Sequence, residues 1–165
     1  MMKKFKKLPV RCNHHCFGCS PINTAGLKMT FATDGESVIS SLKVPEHLCG
    51  WDHLVHGGVI ATILDEIMSW TAIHLLKKII LTKSVSIDFI KPVYIGKMLT
   101  AKGRVIKLKS KREALMEGVI ISDSNEICAR SQGTFVLFTA EVAKRLNIMD
   151  EKALKMFMGI IEGSP

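Results

Sequence analysis

The sequence predicts an α+β fold, a curved antiparallel sheet with one long apolar helix lying against it. Three observations lead there. Apolar residues recur with helical spacing from about Gly58 to Lys78. Short segments of alternating or β-rich character stand on both sides of that helix, two before it and four after it. Neither a linker nor an internal repeat divides the chain, so all of these elements share one core.

The elements are justified in order. Residues 1–26 form an arm rich in charge, Cys and His, closing on the turn-forming stretch Ser20–Leu27. Leu27–Thr33 and Val38–Val44 read as two strands joined at Thr33-Asp34-Gly35-Glu36, where Asp-Gly is a strong hairpin signal. A loop runs from Pro45 to Val55, and the helix follows. Ser84, Ser86 and Asp88 then alternate with Val85, Ile87 and Phe89, the pattern of a half-buried strand. Pro92 and Gly96 punctuate the next turn. Leu99–Leu108, Ala114–Ser122 and Glu126–Phe138 complete the strands, which are expected to pair with their sequence neighbours in antiparallel fashion. Thr139–Ile161 reads as helical, broken near Asn147 to Asp150. The boundaries are thus an arm at 1–26, a main domain at 27–139 and a helical extension at 140–165.

Composition narrows the function classes. The chain has 165 residues, 47% of them hydrophobic and 23% charged, enough for a core without disulfides. Its net charge is +8, but the cations are scattered: Lys3, Lys4, Lys6 and Lys7, then Lys77 and Lys78, then Lys107, Lys109, Lys111 and Arg112. Aromatic residues, at 6%, do not interleave with them as on a base-stacking platform. The expectation is no nucleic-acid binding, only a modest pull on small anionic ligands. The best apolar stretch, Val59 to Ile73, is interrupted by Asp65 and Glu66, so no membrane span is expected. The basic N-terminus lacks the apolar segment of a signal peptide, and five cysteines, an odd count, suit reduced thiols. Both point to a cytoplasmic protein.

The central helix carries the chemistry. Rotating ~100° per residue puts Ile60, Ile63, Ile67, Trp70 and Ile73 on one side, flanked by Leu64 and Thr71, as the stripe facing the sheet. Ala61, Asp65, Ser69 and Ala72 fall opposite, a carboxylate among small residues that let a ligand or another backbone approach. Glu66 reads as the acidic part of an ordinary amphipathic helix. The helix starts at His56-Gly57-Gly58 without a Ser, Thr, Asp or Asn cap. Its first N–H groups are then free donors at the positive end of the helix dipole, able to bind an anion or polarise a carbonyl oxygen.

The stretch from His56 to Glu66 resembles the HGG…D motif of the hotdog-fold acyl-CoA thioesterases, of the phenylacetate-pathway type and the related mammalian thioesterase-superfamily members. Cys16-Phe17-Gly18-Cys19 followed by Asn23 and Gly26-Leu27 is similar to the CFxCG…NPxGL start of one bacterial subgroup, with Ser20 for its Gly and Thr24 for its Pro. Ser84–Gly96 resembles the family's strand and Pro…Gly turn. The resemblance covers roughly residues 16 to 138. It implies a hotdog fold, a homodimer or dimer of dimers with sites at the dimer interface, and an acyl-CoA substrate. Asp65 takes the family's carboxylate position, as general base or nucleophile. The backbone N–H of Gly57, assisted by Gly58, takes the oxyanion position, and His56 braces the loop or touches the thioester. Thr82 takes the place where some members carry a hydroxyl. The polar residue that some members carry before the HGG has no counterpart; Gly50 and Asp52 stand there. Lys109, Lys111 and Arg112 are the candidate contacts to CoA phosphates, with a solvated hairpin tip as the alternative.

Competing readings are a non-catalytic acyl-CoA-binding module and a hotdog hydratase or dehydratase. A serine hydrolase is disfavoured because no GxSxG elbow is present. Cys12, His14, His15, Cys16 and Cys19 have zinc-ligand chemistry at close spacing, but no second paired cluster follows, so neither a metal nor a separate cofactor is expected. Cys49 and Cys128 read as buried small residues, and His53 and His74 as packing or surface residues.

Overall fold

A computed structural model describes residues 4–162; the expectations touching Lys3 and residues 163–165 lie outside them. Its strands are β1 (Lys6–Lys7), β2 (Ala32–Thr33), β3 (Ser37–Lys43), β4 (Cys49–Trp51), β5 (Leu54–Val55), β6 (Ile79–Phe89), β7 (Met98–Ser110), β8 (Glu113–Ser122) and β9 (Ile127–Phe138). Its helices are α1 (Gly57–Leu76), α2 (Ala140–Arg145) and α3 (Glu151–Glu162), with a 3-10 turn at Glu46–Leu48. Seven strands form one antiparallel sheet in the order β1-β2-β3-β7-β8-β9-β6, and α1 packs on its concave side. This is the expected α+β architecture, and it is the hotdog arrangement.

The hairpin at Asp34-Gly35 forms as read: Ala32 pairs with Ile39, Thr33 with Val38, and Gly35 adopts φ +88°. Its first strand is only two residues long, because Leu27 and Met29 bond instead to the carbonyls of Phe17 and Gly18 in the arm. The 45–55 loop contains the 3-10 turn and the β4–β5 hairpin, against the expectation of irregular chain. The helical extension breaks at Asn147, which adopts φ 51°.

One pairing differs from the sequence reading. β6 does not lie beside β7. The β6 register runs from Ile79↔Phe138 to Phe89↔Ala129, so β6 borders β9 at the sheet edge, and β7 is held between β3 and β8. Residues 90–97 carry the chain across to β7 by pairing Val55 with Val93 and Leu54 with Tyr94. The alternation in β6 therefore does not mark a half-buried strand. Ser84, Val85, Ser86, Asp88 and Phe89 are all exposed, on both faces, because among the described residues no further strand pairs with the outer side of this edge strand.

The sheet curls around α1, so more of the helix is buried than one stripe. Ile63, Leu64, Ile67 and Met68 are fully buried. Ala72 joins Met68 against Ala114, Met116 and Phe135, and Ser69 is buried as well, which corrects their placement on the open face. The close approach depends on Gly103 of β7. A Cβ there would come within 2.2 Å of Thr71 Oγ1 and 2.8 Å of the Ile67 carbonyl oxygen. By length and composition α1 could cross a membrane, but 61% of that window is buried in this structure, where it is the core helix. It ends at Lys77 in the left-handed region, whose N–H bonds Ile73 O at 3.1 Å and whose Nζ bonds Ile161 O at 2.8 Å, tying α3 to the core.

Candidate active site

β6 leaves the end of α1 and runs back along it, which brings Thr82 to Asp65. Thr82 Oγ1 donates to Asp65 Oδ1 at 2.8 Å. Asp65 is half-buried. Burial pushes its carboxyl above the ordinary range, the Thr82 hydrogen bond opposes this, and the nearby Cys16 adds to it. A base with raised basicity and one oriented oxygen results.

Further along, the ring of Phe89 reaches the helix start, within 3.8 Å of where a Cβ on Gly57 would stand. The helix start itself corrects the sequence reading. His56 is the N-cap: its Nδ1 accepts from Gly58 N at 2.9 Å. Gly58 is therefore not a free donor, because the short path from His56 lets its own imidazole fill the cap position that Ser or Asp usually takes. The His56 carbonyl takes the N–H groups of Val59 and Ile60. For Gly57 N–H no acceptor exists among the described residues, so it remains a donor at the positive end of a 20-residue helix. His56 is held from behind by Leu48 O, which accepts its N–H at 3.2 Å. Gly50 fits against it, since a Cβ there would stand 3.1 Å from His56 Cα. Asp52 is exposed.

Glu66 is not the solvated acid its sequence position suggested. Its Oε1 accepts from Trp70 Nε1 at 3.1 Å, and Cys16 Sγ lies 3.7 Å from Oε2. Burial, and then Cys16, push its carboxyl up to about 7. The sequence reading lacked the arm that folds over this side of the helix. The arm is knit by Ser20, a buried residue whose Oγ bonds the His14 carbonyl and accepts the N–H of Asn23 at 3.1 Å. Of the five metal-binding candidates, His14, Cys16 and Cys19 come together, whereas Cys12 and His15 do not join them. Cys16 and Cys19 interact directly: the Cys16 thiol is pulled down by the Cys19 side chain, and the Cys19 thiol is pushed up by Cys16. Cys128 is buried as expected, but Cys49 is exposed at the start of β4.

The three basic candidates lie at the β7–β8 turn. Lys111 and Arg112 line a cavity of about 440 Å³ together with Lys78 and Arg145. Lys109 does not line it; its Nζ donates to Thr134 Oγ1 at 2.9 Å. Sequence reasoning missed Lys78 and Arg145, which reach this place from the end of α1 and from α2.

Comparisons with known proteins agree with the geometry. The thioesterase superfamily model matches residues 53–129. A crystal structure of a thioesterase superfamily protein superposes with a TM-score of 0.67 at 25% identity, covering 74% of this chain and 60% of that one. The match thus spans less than two thirds of that protein's length. The E. coli PaaI protein from the phenylacetic acid degradation operon superposes with a TM-score of 0.62 at 18% identity, over 68% of this chain and 81% of PaaI. A hypothetical thioesterase from Streptococcus pneumoniae TIGR4, solved with coenzyme A, gives 0.59 at 21% identity, over 63% and 80%. No curated protein matches the sequence. The motif, the sheet order and the family match over residues 53–129 agree: the chain has the hotdog fold and is similar, over that stretch, to the thioesterase superfamily.

Proposed function

We propose that the protein hydrolyses an acyl-CoA thioester to the free acid and CoA. The observation that carries this reading is the Thr82–Asp65 hydrogen bond of 2.8 Å, on the helix whose first N–H, that of Gly57, is free among the described residues. Thioester cleavage builds negative charge on the carbonyl oxygen. A fixed backbone donor aimed there typically supplies about 3 kcal/mol. Asp65 activates water or attacks the carbonyl carbon itself, and Thr82 orients the oxygen that does not react. His56, occupied in capping Gly58, acts by holding the loop in which Gly57 sits.

The site is open on the β6 side, and the reading includes a second copy that closes it. β6 is an 11-residue edge strand with Leu81, Val85 and Phe89 exposed. A long apolar edge of this kind needs cover. A homodimer, or a dimer of dimers, formed along β6 would seal the pocket around Asp65. The S. pneumoniae relative was solved with coenzyme A, and the cations Lys78, Lys111, Arg112 and Arg145 offer a place for its phosphates here. No cofactor beyond the CoA of the substrate enters this reading, and we place the protein in the cytoplasm.

The deciding experiment is a free-thiol assay across acyl-CoAs of varied chain length and aromaticity. Release of CoA that depends on Asp65 is the expected result. Binding of acyl-CoA without hydrolysis of any ester would replace the enzyme with a binding module.

A further inference from the structure

The arm carries a cluster that thioester hydrolysis does not use. One ligand atom each from His14, Cys16 and Cys19 lies within 4.8 Å of the others. A fourth donor comes from the central helix: Glu66 Oε2 is 3.7 Å and Oε1 3.8 Å from Cys16 Sγ. Donors around a single tetrahedral zinc ion stand about 3.3–3.8 Å apart, given bond lengths of about 2.0 Å to nitrogen or oxygen and 2.3 Å to sulfur. The three arm donors thus lie within about an ångström of coordination spacing, and Glu66 stands next to one of them, Cys16.

Two features point at a ligand. The Nε2 of His14 is buried and has no hydrogen-bond partner. Such an orphan is costly, and a coordinate bond removes the cost. Binding there moves the imidazole proton to Nδ1 and gives up the long 3.3 Å contact from Cys16 N–H. The second is that Gly18 leaves room for the Glu66 carboxylate in its present place: a Cβ at Gly18 would lie 2.5 Å from Glu66 Oε2. The Cys16 thiol donates to the carboxylate in this arrangement, and a cation could take the place of that proton.

We propose that His14, Cys16, Cys19 and Glu66 bind one thiophilic divalent cation, zinc by ligand chemistry, which clamps the arm to the central helix. Two thiolates and a carboxylate exceed a divalent charge by one, and Arg11 lines the same cavity to offset it. Glu66 precedes Trp70 by one helical turn and follows Asp65 directly, so the clamp fixes the helix beside the candidate base without touching substrate. The cysteines are thus ligands rather than a redox pair.

The test uses the full chain, fully reduced and free of chelator, titrated with Co²⁺ and then Zn²⁺. Expected is saturation at one Co²⁺ per chain, with tetrahedral d–d bands and a thiolate-to-cobalt charge-transfer band, both erased by one equivalent of Zn²⁺. A variant carrying Cys12→Ser, Cys49→Ser and Cys128→Ala keeps Cys16 and Cys19 and should retain the band. Cys16→Ser and Cys19→Ser, checked for folding by circular dichroism, should lose it, and His14→Ala should weaken Co²⁺ binding. Absence of saturable uptake by the parent would overturn the site. So would a band that disappears in the triple variant while its fold persists, or one that survives both Cys16→Ser and Cys19→Ser. The readout is spectroscopic and does not depend on thioesterase activity, so failure of either proposal is recognised separately.

Discussion

Thr82 Oγ1 reaches across from the edge strand to Asp65 Oδ1 at 2.8 Å, linking two residues 17 positions apart. The bond fixes one oxygen of the carboxylate. A first prediction follows at Asp65. The Asp65→Asn change keeps size and shape but removes the base or nucleophile, so kcat for acyl-CoA hydrolysis falls by ~10²-fold or more. Light scattering should show the variant in its parent assembly. An unchanged kcat in the folded variant would remove Asp65 from the chemistry.

Thr82→Val tests the positioning of that carboxylate. A hydrogen bond to a charged group contributes about 1.5–3 kcal/mol, so kcat should fall by roughly tenfold to a hundredfold. KM should change little, because the valine fills nearly the same space. Thr82→Ser, which restores the donor, should recover most of the rate. A KM effect without a kcat effect would make Thr82 a pocket residue instead.

The edge strand supplies the third prediction. Leu81 and Val85 pair with Val136 and Gly133 of β9 on one side and keep exposed apolar side chains on the edge strand. The parent should run as a dimer or tetramer by size exclusion with light scattering. Leu81→Lys with Val85→Lys should give a folded monomer with little activity. A parent that is monomeric and fully active would refute the shared site.

At the basic cavity, Lys111→Glu and Arg112→Glu should raise KM for an acyl-CoA while sparing a short thioester that lacks the nucleotide. Lys78→Glu should act in the same direction, since Lys78 lines the same space. Lys109→Glu should have less effect, because its Nζ already bonds Thr134. Equal changes for both substrates would place these cations outside the CoA site.

Gly103→Ala probes the fold. The new methyl would meet Thr71 Oγ1 at 2.2 Å and the Ile67 carbonyl at 2.8 Å, and a carbonyl in a buried helix cannot move aside. Overpacking of this kind costs about 1–3 kcal/mol. Denaturant melts should show a lower midpoint with an unchanged slope. Gly35→Ala, at an open turn with φ +88°, should cost less, through backbone strain alone.

The sequence by itself determined the local structure and the chemistry-bearing residues. Helical spacing in Gly57–Leu76, the Asp-Gly turn at residues 34–35 and the strand segments of β7, β8 and β9 are local signals, and the helix, the turn and these three strands appear within a residue or two of where they were read. Asp65 and the glycine-rich helix start were legible because small residues around a carboxylate, and two glycines before an apolar helix, are unusual choices. The tertiary structure alone decided which strand lies where. β6 pairs with β9 rather than β7 because pairing is settled by how the sheet closes around the helix, which no segment encodes alone. It also decided that His56 fills its own cap, that Lys109 turns to Thr134, and that the arm covers Glu66. Each of these depends on a contact between distant or conformationally specific groups, in which burial and hydrogen-bond geometry outweigh the preference of the isolated residue.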